Sequence, residues 1–189
     1  PEQKQGWLEP LVAGDVRSFF SMTEPEVPGS DPTTLRTRAV RDGDEWVIDG
    51  RKWFNTAADG AAFGILMAVT DPDAEPHRRM SQTIVPTDVP GITIRPIEVM
   101  GHLGRGWTTH CEVVYENVRV PLENVLGEPG DGFRIAQKRL GPGRIHHAMR
   151  WLGQMQRAFE LLCERALSRE AFGGPLADKQ TVQNWIADS

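Results

Sequence analysis

The pattern of apolar residues changes period once along this 189-residue chain, and that single change constrains the fold more than any other feature. From about residue 17 to residue 127, short apolar runs alternate with turn residues; from about Phe133 onward, apolar residues recur every three or four positions. The first pattern is that of strands and the second that of helix. Runs at 35–40, 46–48, 64–69, 83–85, 92–97, 111–115 and 118–120 predict strands. Asp42-Gly43 joins the first two, a dipeptide that tolerates the positive φ of a tight hairpin. Connections this short leave no room for helical crossovers, so an antiparallel sandwich or barrel-like sheet is expected.

In the second half Ile145, Met149, Leu152, Met155, Phe159, Leu162 and Ala166 fall on one helical stripe. Pro142 suits a first helical turn, and Gly173-Gly174-Pro175 ends the long helix. A second helix begins near Asp178 with Val182, Trp185 and Ile186 on its apolar side, and the chain ends within it. So short a second helix leaves the long stripe with little to pack on, and the expectation is a piece of a larger polypeptide. The fold class is therefore α+β: an antiparallel β domain followed by helices. Expected boundaries are 17–128 for the β domain and 129–189 for the start of a helical domain.

Composition matters here mainly for what it excludes. An apolar share of 39% with 25% charged residues is that of a globular chain, not a disordered one. A formal charge of −5 argues against a protein whose main task is to neutralise nucleic-acid phosphates. No apolar run approaches the roughly 18 residues that span a bilayer. Cys111 and Cys163 stand far apart without metal-ribbon or disulfide spacing, so reduced thiols packed inside an intracellular protein are the plain reading. His146 and His147, as helical neighbours, diverge by about 100° and are poorly placed to share a metal ion; no metal is expected.

Two segments combine groups that could hold a ligand. Met22-Thr23-Glu24-Pro25-Glu26-Val27-Pro28-Gly29-Ser30-Asp31 has the hydroxyls, prolines and glycine of a loop with outward N–H groups, and by composition alone it is a surface loop. Trp53-Phe54-Asn55-Thr56 sets two aromatics before an amide and a hydroxyl, which suits either core packing or a planar heterocycle. The glycine-rich runs at 101–106 and 127–132 lack the strand–helix context of a phosphate loop. The first is expected to turn between strands, and the second to lead from sheet to helix.

Taken in order, these pieces resemble the acyl-coenzyme A dehydrogenases, a family of FAD-dependent enzymes. Met22-Thr23-Glu24-Pro25 with Gly29-Ser30-Asp31 is similar to the family's flavin-loop motif, and Asp49-Gly50-Arg51-Lys52-Trp53-Phe54-Asn55-Thr56 to its second flavin segment. Arg119-Val120-Pro121 with Asn124-Val125-Leu126-Gly127 resembles the strand leaving the middle domain, and residues 165–173 the arginine-bearing helix end. Leu140-Gly141-Pro142-Gly143-Arg144-Ile145-His146-His147 most resembles the branch of members 10 and 11.

The resemblance implies the end of an N-terminal helical region at 1–16, a middle β domain at 17–128 and, at 129–189, the start of a truncated C-terminal four-helix bundle, with FAD as cofactor. It implies cofactor contacts from Phe20, Met22, Thr23, Gly29, Ser30, Phe54, Asn55, Thr56, Arg169, Phe172 and Gln180, Arg169 reaching a neighbouring subunit's FAD. It implies substrate contacts from Ser30, Gly141, Gly143 and Arg144. Phe54 stands where the family commonly has Trp; stacking survives that exchange and the indole N–H is lost.

The implied reaction is α,β-dehydrogenation of an acyl-CoA thioester, with an electron-transfer-flavoprotein-type acceptor and a homodimer or homotetramer in the full-length protein. No catalytic base is assigned within this chain, because the turn where a minority of the family carries a Glu reads Gly141-Pro142-Gly143 here. The compartment implied is intracellular: cytoplasmic in a bacterium, mitochondrial or peroxisomal otherwise. Two rival readings stay open, an acyl-CoA oxidase or flavin monooxygenase, and a non-catalytic interaction module.

Overall fold

Strand pairing places the longest strands at the centre of one mixed sheet. The computed structural model describes residues 2–105 and 109–189, in two compact units, Pro1–Ala136 and Gln137–Ser189. The first unit opens with a π-helical turn, Lys4–Leu8, continued by α1 (Glu9–Ala13), where Trp7 packs on Phe63 at 5.1 Å between ring centroids. Seven strands follow: β1 (Ser18–Ser21), β2 (Arg38–Asp42), β3 (Glu45–Thr56), β4 (Phe63–Val69), β5 (Met80–Pro86), β6 (Ile92–Ile97) and β7 (His110–Pro121). Their order is β1-β4-β2-β3-β7-β6, with β5 also paired to β4.

The hairpin expected at Asp42-Gly43 is present, with Asp42 opposite Glu45 and Gly43 at φ +61°. The runs at 111–115 and 118–120 are one strand, β7, paired along most of β3. Two pairings depart from the antiparallel expectation: β1 runs parallel to β4, from Ser18 beside Phe63 to Ser21 beside Leu66, and β2 meets β4 in parallel at Arg38 beside Val69. The β2–β3 hairpin occupies the connection from β1 to β4, so that crossover is made without an α-helix. The run at 101–106 falls between β6 and β7, with Gly106 outside the described residues.

Alternation along the strands buries Ile48, Leu66, Val113, Tyr115 and Val118 in one cluster. A second cluster of Leu35, Met67, Met80 and Ala136 has Met22 and Phe133 packed against it. Each such large side chain contributes about 1.5–3 kcal/mol on leaving water. Gly50 is required where it stands, because a Cβ there would overlap the Thr37 side chain.

The helix α2 spans Gly132–Ser168, a two-residue hairpin of β8 (Glu170–Ala171) and β9 (Gly174–Pro175) follows, and α3 is Gln180–Asp188. Pro142 lies inside α2 and not at its first turn, which corrects the expectation from sequence. The missing N–H costs one backbone bond there, and the flanking Gly141 and Gly143 remove side-chain crowding around the ring. Of the predicted stripe, Ala166 is buried, while Ile145, Met149, Leu152 and Met155 are exposed. No described helix is long and apolar enough to cross a membrane.

Candidate functional site

The site begins with a break in the β3–β7 ladder. Lys52 pairs with Val113 and Asn55 with Cys111, so three steps on β3 match two on β7 and one residue is extra. Such a bulge frees backbone groups and re-aims side chains. Phe54 takes the left-handed conformation, φ +53°, and is 46% exposed. The freed groups of Trp53 turn to the loop after β1: Trp53 N–H donates to Thr23 O at 3.0 Å, and Thr23 Oγ1–H donates to Trp53 O at 2.8 Å.

Phe54 continues the wall. Its ring lies 4.7 Å from that of Trp53 and meets the His110 ring edge-on at 6.4 Å. His110 Nδ1 in turn shares a 3.0 Å hydrogen bond with Thr56 Oγ1. Thr23, Trp53, Phe54, His110 and Thr56 therefore form one connected surface of aromatic faces edged by hydroxyl and imidazole groups. Gly29 folds back toward it, since a Cβ there would stand 3.2 Å from Thr23 Cγ2.

Beneath this surface lies a buried ion pair, Glu24 with Lys52. Glu24 accepts hydrogen bonds from Arg36 N at 2.8 Å, Thr37 N at 2.9 Å and Lys52 Nζ at 2.9 Å. Lys52 Nζ also donates to Met22 O at 2.8 Å. Burial pushes the Lys52 ammonium down to about 8 against the pull of Glu24. For Glu24 burial acts upward, but the Lys52 charge and the bonds from Thr37 and Lys52 outweigh it and hold the carboxyl below its ordinary range. Tyr115 Oη donates to Ser21 Oγ at 2.9 Å, and burial raises the phenol well above its usual value.

The expected residues thus divide. Thr23, Gly29, Phe54 and Thr56 lie on or against the wall. Phe20, in β1, is half-buried, Met22 packs its side chain into the second core cluster, and Ser30 is exposed in the loop. Asn55 is fully buried, its Nδ2 donating to Cys111 O at 3.1 Å, so its side chain faces the core and supports the bulge from within.

The other expected residues belong to the second unit. Gly141, Gly143 and Arg144 are helical residues of α2 and not a turn before it, because α2 is continuous through them. Arg144 Nη2 donates to Gln137 Oε1 at 3.3 Å. Arg169 follows the end of α2, with its N–H on Arg165 O at 3.0 Å. Phe172 is 98% exposed at φ +52°, and Gln180 opens α3.

Three contributors escaped the sequence reading, Glu24, Lys52 and His110, whereas Trp53 was read there as one of two aromatics suited to core packing or a planar heterocycle. Lys52 did leave a signal, since it occupies the same strand parity as the inward-facing Trp46 and Ile48.

The family model "Acyl-CoA dehydrogenase, middle domain" matches residues 19–118, and the C-terminal domain model of the same family matches 130–189. The chain belongs to the acyl-CoA dehydrogenase family. It is 50% identical to the Mycobacterium tuberculosis protein named probable acyl-CoA dehydrogenase FadE2, covering 100% of this chain and 46% of that protein. It is 43% identical to mouse acyl-CoA dehydrogenase family member 11, covering 100% of this chain and 25% of that one. The crystal structure of acyl-CoA dehydrogenase from Geobacillus kaustophilus superposes with a TM-score of 0.85 at 34% identity, over 99% of this chain and 49% of its own. The chain therefore spans half or less of the length of these relatives.

Proposed function

We propose that this acyl-CoA dehydrogenase chain supplies much of the FAD site of an enzyme that removes two hydrogens from adjacent carbons of an acyl-CoA thioester. The observation that carries this reading is the bulge-borne wall, in which Thr23 and Trp53 exchange two hydrogen bonds while Phe54 is held outward. The residues fit the group: a flat ring system with polar edges needs an aromatic face, hydroxyl partners and a loop free to approach closely. Thr23, Phe54 and Thr56 would hold the ring, with Gly29 and Ser30 toward its tail. A bound FAD supplies the hydride acceptor that amino acids lack.

In the same reading, 17–128 is the middle domain and 129–189 the start of the C-terminal domain. Arg169, with Phe172 and Gln180, would serve FAD, and a forked guanidinium suits phosphate oxygens. Arg144, with Gly141 and Gly143, would meet the thioester substrate. The protein would work as a homodimer or homotetramer and pass electrons to an electron-transfer-flavoprotein-type acceptor. The solved glutaryl-coenzyme A dehydrogenase–glutaryl-CoA complex, 31% identical with a TM-score of 0.82, supports a CoA thioester as the substrate class.

The test is anaerobic mixing of the intact protein with acyl-CoA thioesters of graded chain length. Bleaching of the flavin absorption by at least one thioester is the expected result, and no bleaching by any of them would contradict the reading. Oxygen uptake in place of acceptor reduction would favour an oxidase.

A further inference from the structure

Between β1 and β2 the loop 22–37 holds one short 3₁₀ turn, Pro32–Thr34; the buried Leu35 and the Val69 N–H bond to Thr37 O anchor its far end, and side-chain bonds from a buried pair join its two ends. Both of its ends close on the same buried pair. Met22 O receives Lys52 Nζ at the start of the loop, and Arg36 N and Thr37 N donate to Glu24 at its end. Lys52 and Glu24 side chains are 0% and 2% exposed, and their charged atoms stand 2.9 Å apart. One residue further along each segment, Thr23 meets Trp53 in the reciprocal hydrogen bonds that begin the wall.

A buried ion pair is a weak source of net stability, since desolvation offsets most of the attraction and well-packed apolar residues do as well. What this pair supplies is direction. Its bonds aim at fixed backbone atoms on both sides of the loop, and apolar contacts would allow the loop to slide. The neighbouring pairs of Arg51 with Glu26 and Glu112 involve a half-exposed guanidinium, where solvent screening leaves little to fix a register.

We propose that Glu24 and Lys52 are positioning residues of the cofactor wall: they clasp the 22–37 loop to β3 beside the bulge and so set Thr23 against Trp53 and Phe54. This rests on the FAD reading above, and its test separates the two.

In the intact protein, Lys52→Met is compared with Val120→Ala, a core truncation at the other end of β3, where Val120 sits opposite Trp46. Two quantities are read: hydrogen exchange at the Trp53 amide, and affinity for added FAD after the cofactor has been stripped. Lys52→Met should accelerate Trp53 exchange and weaken FAD binding by about tenfold or more each, the scale of one lost charged hydrogen bond. Val120→Ala should leave both within about twofold once corrected for global stability.

Should Lys52→Met fail to fold, Glu24→Gln carries the test. It sets an amide donor against Arg36 N–H or Thr37 N–H and should move both quantities in the same direction. Unchanged Trp53 exchange, or FAD affinity equal to that of Val120→Ala, overturns the proposal. A wild-type protein that takes up no FAD overturns the functional reading instead, and Trp53 exchange alone then decides whether the clasp holds the loop.

Discussion

Lys52 Nζ lies 2.9 Å from Glu24 Oε1 in the interior; Lys52 also donates to Met22 O beside Glu24, and Glu24 accepts from the backbone N–H groups of Arg36 and Thr37. Removing one partner strands a charge, so Lys52→Met should cost about 3–5 kcal/mol in urea unfolding. Neutralising both, as Glu24→Gln with Lys52→Met, should recover part of that loss. A double variant whose loss equals the sum of the singles would show that the two do not act as a pair.

The pair also sets an acid limit. The Glu24 carboxyl is held below its ordinary 4.5, so the folded state binds this proton less readily than the unfolded chain. Its contribution is complete above 4.5 and is lost as pH falls through the lower folded value. Melts of wild type between pH 3 and about 6 should show this decline, and Glu24→Gln should flatten it. Parallel profiles for the two proteins would remove Glu24 from the account.

Phe54 pits backbone strain against its exposed ring. A left-handed phenylalanine costs on the order of 1–2 kcal/mol, and glycine in its place regains much of that while loosening the unfolded chain. Phe54→Gly should therefore change unfolding free energy by less than about 1 kcal/mol and still weaken FAD retention several-fold. Large destabilisation with normal FAD retention would reverse the assignment.

Thr56 is bonded to His110 at the wall's edge. Thr56→Val loses one exposed hydrogen bond, a stability change below about 1 kcal/mol, and should shift the visible flavin band. An unaltered spectrum would make Thr56 structural only. In the second unit, Arg169→Ala should lower FAD affinity in the intact oligomer about tenfold, the scale of one charged bond to phosphate. Unchanged affinity would count against Arg169.

The division between sheet and helix was legible because period 2 and period 3.6 demand different residue patterns. What escaped the sequence had physical reasons. The parallel β1–β4 pair depends on a hairpin serving as the crossover, which no local pattern records. Pro142 resembles a helix start, yet exposure and two flanking glycines let α2 pass through it. Asn55 was expected on the wall beside Phe54 and Thr56. Buried positions follow even numbers at Trp46, Ile48 and Lys52, then change to odd at Asn55, and that phase change marks the bulge. A lysine in an inward phase was the readable sign of a buried clasp, but only the folded loop supplies its carboxylate.

The most direct measurement is the identity of whatever the intact protein carries. Denaturing the purified protein should release FAD at close to one per chain, identified by chromatography and its visible spectrum. A colourless protein that also refuses added FAD would contradict the claim that Thr23, Phe54 and Thr56 form a flavin wall.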